Sequence, residues 1–154
     1  FNIGGLNKTA LFENLIQYYM DKVVIETART ENGYSGACEL LPGWIVATTG
    51  DFDNFKKEVV NSIRFYVDCA KRDGDEYPAI FDGEYELVYK FDVQSLLLYY
   101  QGIFSFSALQ TITGINQKQL AHYAAGRSKP RPQQAEKIAR GLHNLAKDLM
   151  SVTV

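Results

Sequence analysis

Ser105-Phe-Ser-Ala-Leu-Gln-Thr-Ile-Thr-Gly-Ile-Asn-Gln-Lys-Gln-Leu-Ala-His-Tyr-Ala-Ala-Gly126 reads as two short helices joined by a turn. Gly114 stands where the first helix must stop, because glycine enters the left-handed region at little cost. Ile115 follows as an apolar plug, and Asn116 is a good N-cap for the second helix. Leu120 and Tyr123 or Ala124 recur at helical spacing and face inward. Gln117, Lys118, Ala121 and His122 are left toward solvent or a groove. Gly126 closes the second helix. Residues 127–132, Arg-Ser-Lys-Pro-Arg-Pro, follow as a basic, proline-broken loop of the kind that suits a phosphate backbone. The pattern is that of a helix-turn-helix.

Both neighbours of this stretch are helical. Asp92 caps a segment containing Leu96, Leu97, Leu98, Tyr99 and Tyr100, too apolar for a lone surface helix. From about Pro132 to Met150, Ala135, Ile138, Ala139, Leu142, Leu145 and Leu149 form one stripe. The first half has another texture. Val23, Val24 and Ile25 lie in a β-branched run ending near Ala28, and Glu31-Asn-Gly33 is a turn signal. Tyr34 to Glu39 reads as a second strand, Leu41-Pro-Gly43 as a turn, and Trp44 to Thr49 as a third strand. Over residues 51–71, Phe52, Phe55, Val59, Ile63, Val67 and Ala70 make an apolar helical stripe. Tyr85, Leu87, Tyr89 and Phe91 then alternate with Glu86, Val88 and Lys90 as a fourth strand.

The expected fold class is therefore α+β, a β-β-β-α-β sheet-and-helix domain followed by an all-α helix-turn-helix domain. The expected boundaries are 1–19, 20–91 and 92–154. Residues 1–19 read as an extension. Leu11, Leu15, Ile16 and Tyr19 give weak helical spacing, and Met20 before Asp-Lys-Val-Val-Ile-Glu looks like a native start.

Composition is that of a globular protein: 154 residues, 46% hydrophobic and 22% charged, with a formal net charge of -2. The charge is unevenly spread. Residues 1–100 carry 9 Lys+Arg against 16 Asp+Glu, and residues 101–154 carry 7 against 2. The basic half suits a polyanion and the acidic half a basic protein. Cys38 and Cys69 are too few for a disulfide framework, and they read as small apolar residues in a reduced cytoplasm. No apolar run approaches the roughly 20 residues a membrane span needs, and no signal peptide opens the chain.

Val23-Val-Ile-Glu, Asn32-Gly-Tyr-Ser-Gly, Leu41-Pro-Gly-Trp-Ile-Val-Ala and Phe55-Lys-Lys-Glu-Val-Val, followed by a helix-turn-helix, resemble the HicB family of type II antitoxins. The resemblance covers roughly residues 20–150. It implies a degenerate RNase H-like N-terminal domain that masks a small HicA-type mRNA interferase, a basic protein encoded by a neighbouring gene. It also implies a C-terminal domain that binds its own operator, double-stranded DNA, as a homodimer or higher homo-oligomer. One departure stands out. Gln110 follows Leu109 where such units usually carry a small residue between closely packed helices, and this puts operator affinity in question.

Asn116, Gln117, Lys118, Gln119 and His122 are candidate base-edge or phosphate contacts. Glutamine can pair bidentately with adenine, and lysine can donate to guanine acceptors. Arg127, Lys129 and Arg131 are phosphate candidates. The bland alternative is a polar helix face and a solvated loop. Tyr34, Glu39 and Trp44 are the expected toxin contacts, with Trp44 either a packed sheet residue or an anchor. An RNase H-like nuclease needs several carboxylates around divalent metal. Glu26, Glu39, Asp51 and Asp53 form no such ordered set, and His122 and His143 have no ligand partner at metal spacing. No catalytic residue, metal, cofactor or membrane partner is expected. The competing readings are a stand-alone transcriptional regulator whose sheet domain senses a small molecule or another protein, and an adaptor with an inactive helix-turn-helix.

Overall fold

A computed structural model describes residues 21–154; the expectations for residues 1–19 lie outside them. The fold mixes α and β, and the chain divides into two compact units after Lys90.

In the first unit, β1 (Asp21–Arg29), β2 (Gly33–Ala37) and β3 (Ile45–Thr49) form an antiparallel meander, with Glu26 opposite Ala37 and Tyr34 opposite Thr48. β4 (Tyr85–Phe91) joins the far edge, giving the order β3-β2-β1-β4. The sheet is mixed, so with both other pairings antiparallel β4 runs parallel to β1. A parallel return requires a long crossover, which α1 (Phe52–Asp73) and a 3-10 turn (Ala79–Asp82) supply.

Period-two alternation makes β1 two-faced: Val23, Ile25 and Thr27 are buried, while Lys22, Val24 and Glu26 are exposed. Leu41, Pro42, Gly43 and Trp44 form the turn before β3. Trp44 N–H donates to the Leu41 carbonyl at 3.0 Å, and Gly43 takes the positive φ of +81 that a type II turn requires.

α1 is fixed at both ends. Asp51 caps it by accepting from Asn54 N–H, and Gly74, in the left-handed region, donates to Ala70 O. Phe55, Val59, Ile63, Val67 and Ala70 are its buried face, which is the stripe visible in the sequence. Gly36 lets this face approach the sheet. A Cβ there would lie 2.9 Å from both Ile25 Cγ2 and Phe55 Cζ. Tyr34, Phe52, Phe55 and Tyr89 close the core as a ring cluster, with centroids 5.3 to 6.1 Å apart across the contacting pairs.

The second unit is helical: α2 (Val93–Tyr100), α3 (Phe106–Thr113), α4 (Gln117–Ala124) and α5 (Pro132–Ser151). Leu97, Leu109, Ile115, Leu120, Tyr123, Ala124 and Ile138 form one core, flanked by Val93, Leu96, Phe104, Phe106, Ile112 and Leu142. The stripe of α5 departs from expectation. Ile138 is its one fully buried residue, whereas Leu149 is 60% and Met150 89% exposed. The reason is length. At about 1.5 Å per residue, a helix of 20 residues outruns the short α3, against which Gly141 packs.

Candidate nucleic-acid interface

The turn between α3 and α4 is held by three local devices. Ser105 caps α3 by accepting from Ala108 N–H at 3.1 Å. Gly114 ends α3 at φ 72, its N–H donating to Gln110 O. Thr113, buried, donates its hydroxyl to Leu109 O at 2.7 Å and accepts Ile115 N–H at 3.2 Å. Ile115 is thereby pinned as the plug, 5% exposed.

The start of α4 has two acceptors for its unpaired N–H groups. Asn116 Oδ1 accepts from Lys118 N–H at 2.9 Å, and Gln110 Oε1 accepts from Gln117 N–H at 2.8 Å. Gln110 is exposed, so it does not lie between packed helices. The place that demands a small residue is on α5 instead: a Cβ on Gly141 would sit 2.5 Å from Ile112 O and 3.0 Å from Thr113 Cα. At the other end of α4, Gln94 from α2 donates to Ala124 O at 3.3 Å and packs against Gly126.

The eight expected contact residues fall on the exterior of this unit in different states. Gln117, Lys118 and His122 are exposed on α4, while Leu120, Tyr123 and Ala124 are buried on its opposite face. Asn116 is exposed, with its side-chain oxygen engaged in the cap. Gln119 is half-buried and donates to Ser128 Oγ at 3.1 Å, tying α4 to the loop that follows. Arg127, Lys129 and Arg131 are exposed on that loop, and Arg127 N–H donates to His122 O. None of Lys118, Arg127, Lys129 and Arg131 forms an ion pair among the described residues. Lys137, on α5, adds a further cation close to Gly114. The acids of the unit are few: Asp92 caps α2, Glu136 pairs with Arg140 at 3.1 Å, and Asp148 lies near the chain end. Burial, and then the neighbouring Tyr99, pushes the Tyr100 phenol up from its ordinary value.

Gln94 and Lys137 escaped sequence reading. Gln94 acts across 30 residues and carries no local signal. Lys137 belongs to the polar face of a helix and gains meaning only from the crossing with α3.

In the first unit, two of the three expected toxin contacts turn inward. Tyr34 is 7% exposed within the ring cluster, and Trp44 is 6% exposed with its indole N–H donating to Ser62 Oγ at 2.9 Å. Both are core residues rather than surface anchors. β2 turns Tyr34 toward Phe52 and Phe55 of α1, and the tight 41–44 turn folds Trp44 against Ser62 of the same helix. Glu39 is exposed.

Three of the four carboxylates weighed for a nuclease are engaged elsewhere. Glu26 pairs with Lys90 at 3.0 Å, Asp51 caps α1, and Asp53 pairs with Lys56 at 2.7 Å. The hydrogen bond from Lys56 holds Asp53 below its ordinary carboxylate value. Among the described residues, no group of three or more His, Cys, Asp or Glu side chains comes together to hold a metal, and no helix is long and apolar enough to cross a membrane. Cys38 and Cys69 are free thiols.

Compared with protein-family models, with curated proteins and with solved structures, the chain matches none.

Proposed function

We propose that this protein is a HicB-type antitoxin: it masks a small basic mRNA interferase with residues 21–90 and represses its own operon with residues 91–154. One observation carries the reading. A short capped helix presents Gln117, Lys118 and His122 beside a loop bearing Arg127, Lys129 and Arg131, all exposed, and its cations have no ion-pair partner among the described residues. Unpaired cations around a rigid helix favour the phosphate backbone, and amide side chains on that helix favour base edges. The charge partition supports the two-partner division: residues 1–100 are acidic and residues 101–154 basic.

An operator read by one such helix per chain is an inverted repeat, with half-sites about one helical turn apart. That arrangement requires two copies of the chain. The uncovered far half of α5, with Leu149 and Met150 in solvent, supports self-association. The test is binding of the full chain to the DNA upstream of its own gene, for the native protein and for Lys118→Ala with Arg127→Ala. We expect binding to weaken and its salt dependence to flatten in the double variant. Operator affinity unchanged by the two substitutions would remove the assignment. A stand-alone regulator is separated from an antitoxin by co-expression: the antitoxin forms a complex with a small basic protein encoded beside it, and the regulator does not.

A further inference from the structure

α1 buries one stripe, and most of its outward residues are polar. Val60, 40% exposed, and Phe65, a phenyl ring 71% exposed, are the apolar exceptions, and Phe65 is the larger and more open of the two. It lies outside the buried core of the described residues, so its apolar area is available to another molecule. The ring stands on the wall of a groove of about 260 Å³, together with Tyr66 and Cys69, rimmed by Asp73, Asp75 and Glu76. The floor is rigid. Trp44 is buried there, and its indole N–H to Ser62 Oγ bond ties the turn before β3 to α1.

Two nearby cations are already neutralised. Arg72 pairs with Asp73 at 2.9 Å, and Lys71 pairs with Asp82 at 2.9 Å. Asp75 and Glu76 are exposed and form no ion pair among the described residues. The groove therefore joins an unclaimed aromatic wall to an uncompensated acidic rim. That combination rejects nucleic acid and anionic membrane, which carry the same sign of charge as the rim. It matches a cationic protein surface that offers one apolar side chain to Phe65 and lysine or arginine to Asp75 and Glu76.

We infer that this α1 groove, centred on Phe65, is the surface that docks the basic partner protein. The inference rests on the reading of residues 21–90 as a toxin-masking unit. It replaces the inward-facing Tyr34 with exposed residues as the contacts and keeps Trp44 only as the buried floor of the groove.

The test measures the affinity and association rate of the full chain for the small basic protein encoded beside it, by surface plasmon resonance. The native chain is compared with Phe65→Ala, with Asp75→Lys plus Glu76→Lys, and with Ile45→Ala, a 73% exposed control on β3. Phe65 and the rim acids are exposed, so melting temperatures should stay at the native value. Phe65→Ala should weaken binding about thirtyfold, the effect of losing a hot-spot aromatic. The charge reversal should cut the association rate at low salt about tenfold or more. Ile45→Ala should bind as the native chain does. If the native chain forms a complex and Phe65→Ala and the charge reversal bind equally well, the groove is not the docking surface and the antitoxin reading stands. If the native chain forms no complex, the antitoxin reading falls and this inference with it. If Phe65→Ala instead breaks a native self-association while leaving the heterologous complex intact, the groove belongs to a second copy of this chain and the inference is overturned.

Discussion

Replacing Gly141 by alanine tests whether α5 crosses α3 as closely as described. Two effects oppose. Alanine in a helix interior is favoured over glycine by about 1 kcal/mol. Against that, the new methyl would lie 2.5 Å from Ile112 O and 3.0 Å from Thr113 Cα. Both obstacles are backbone atoms, which cannot rotate aside, so the overpacking cost belongs near the upper end of its usual range, about 3 kcal/mol. The net expectation is a loss of about 2 kcal/mol. For a unit the size of residues 91–154, each kcal/mol shifts the midpoint by roughly 4–8 °C. The helical circular-dichroism transition should therefore fall by about 8–16 °C. The sole tryptophan, Trp44, lies in the other unit and supplies an internal reference, since its fluorescence transition should not move. Asn144→Ala, exposed on the same helix, isolates the propensity effect and should be neutral or slightly stabilising. A Gly141→Ala protein as stable as the native one would mean that α5 does not press on the end of α3, and that the α3–α4 turn is held in some other way.

Asn116→Ala should destabilise the second unit by about 1 kcal/mol, the usual cost of a lost N-cap, and Gln110→Ala by about 0.5 kcal/mol because water can replace an exposed acceptor. Both acceptors serve the first turn of α4, so a double-mutant cycle in chemical denaturation should show coupling, and strict additivity would mean they act separately. Operator binding followed against salt should give a steep negative slope. Removing one phosphate-contacting cation should reduce that slope by about 0.9 per contact, whereas an unchanged slope for Arg127→Ala would take that side chain off the backbone. Asp82 gives a pH dependence with a definite sign. Hydrogen bonds from Lys71, and then from Tyr77, hold its carboxyl below the ordinary 3.8. A lowered folded pKa gives stability that is full above the unfolded value and is lost as pH falls through the folded one. Amide exchange across residues 77–82 should be flat from pH 7 to about 5, after correction for intrinsic rates, and should quicken below about 4. Asp82→Asn should remove that dependence.

Much of the fold was legible because it obeys short-range rules. The stripe of α1 is a 3.6-residue period, β1 is a β-branched run buried with period two, and Gly114 by its left-handed backbone and Asn116 by its capping side chain bracket a turn. β4 forms as a strand without the single buried face that its alternation suggests, since every residue but the exposed Lys90 is half-buried. Three features were not legible. The insertion of β4 beside β1 depends on pairing strands that are 64 residues apart at Glu26 and Lys90. Tyr34 reads as an anchor and Trp44 as either packed or an anchor, because aromatic residues near turns serve equally well inside or outside. The direction is decided by Phe52, Phe55 and Ser62, on the helix that arrives later. The significance of Gln110 was inverted: expected to disturb helix packing, it instead caps the next helix, while the close approach falls at Gly141, 31 residues onward.

The sequence by itself determined which segments are helix or strand, where they stop, and which half carries which charge, since each depends on neighbours within a few residues. Tertiary structure alone decided which apolar surfaces remain open: the Phe65 groove and the far end of α5. Exposure is what remains after every other segment has been placed, so no local window of residues can contain it.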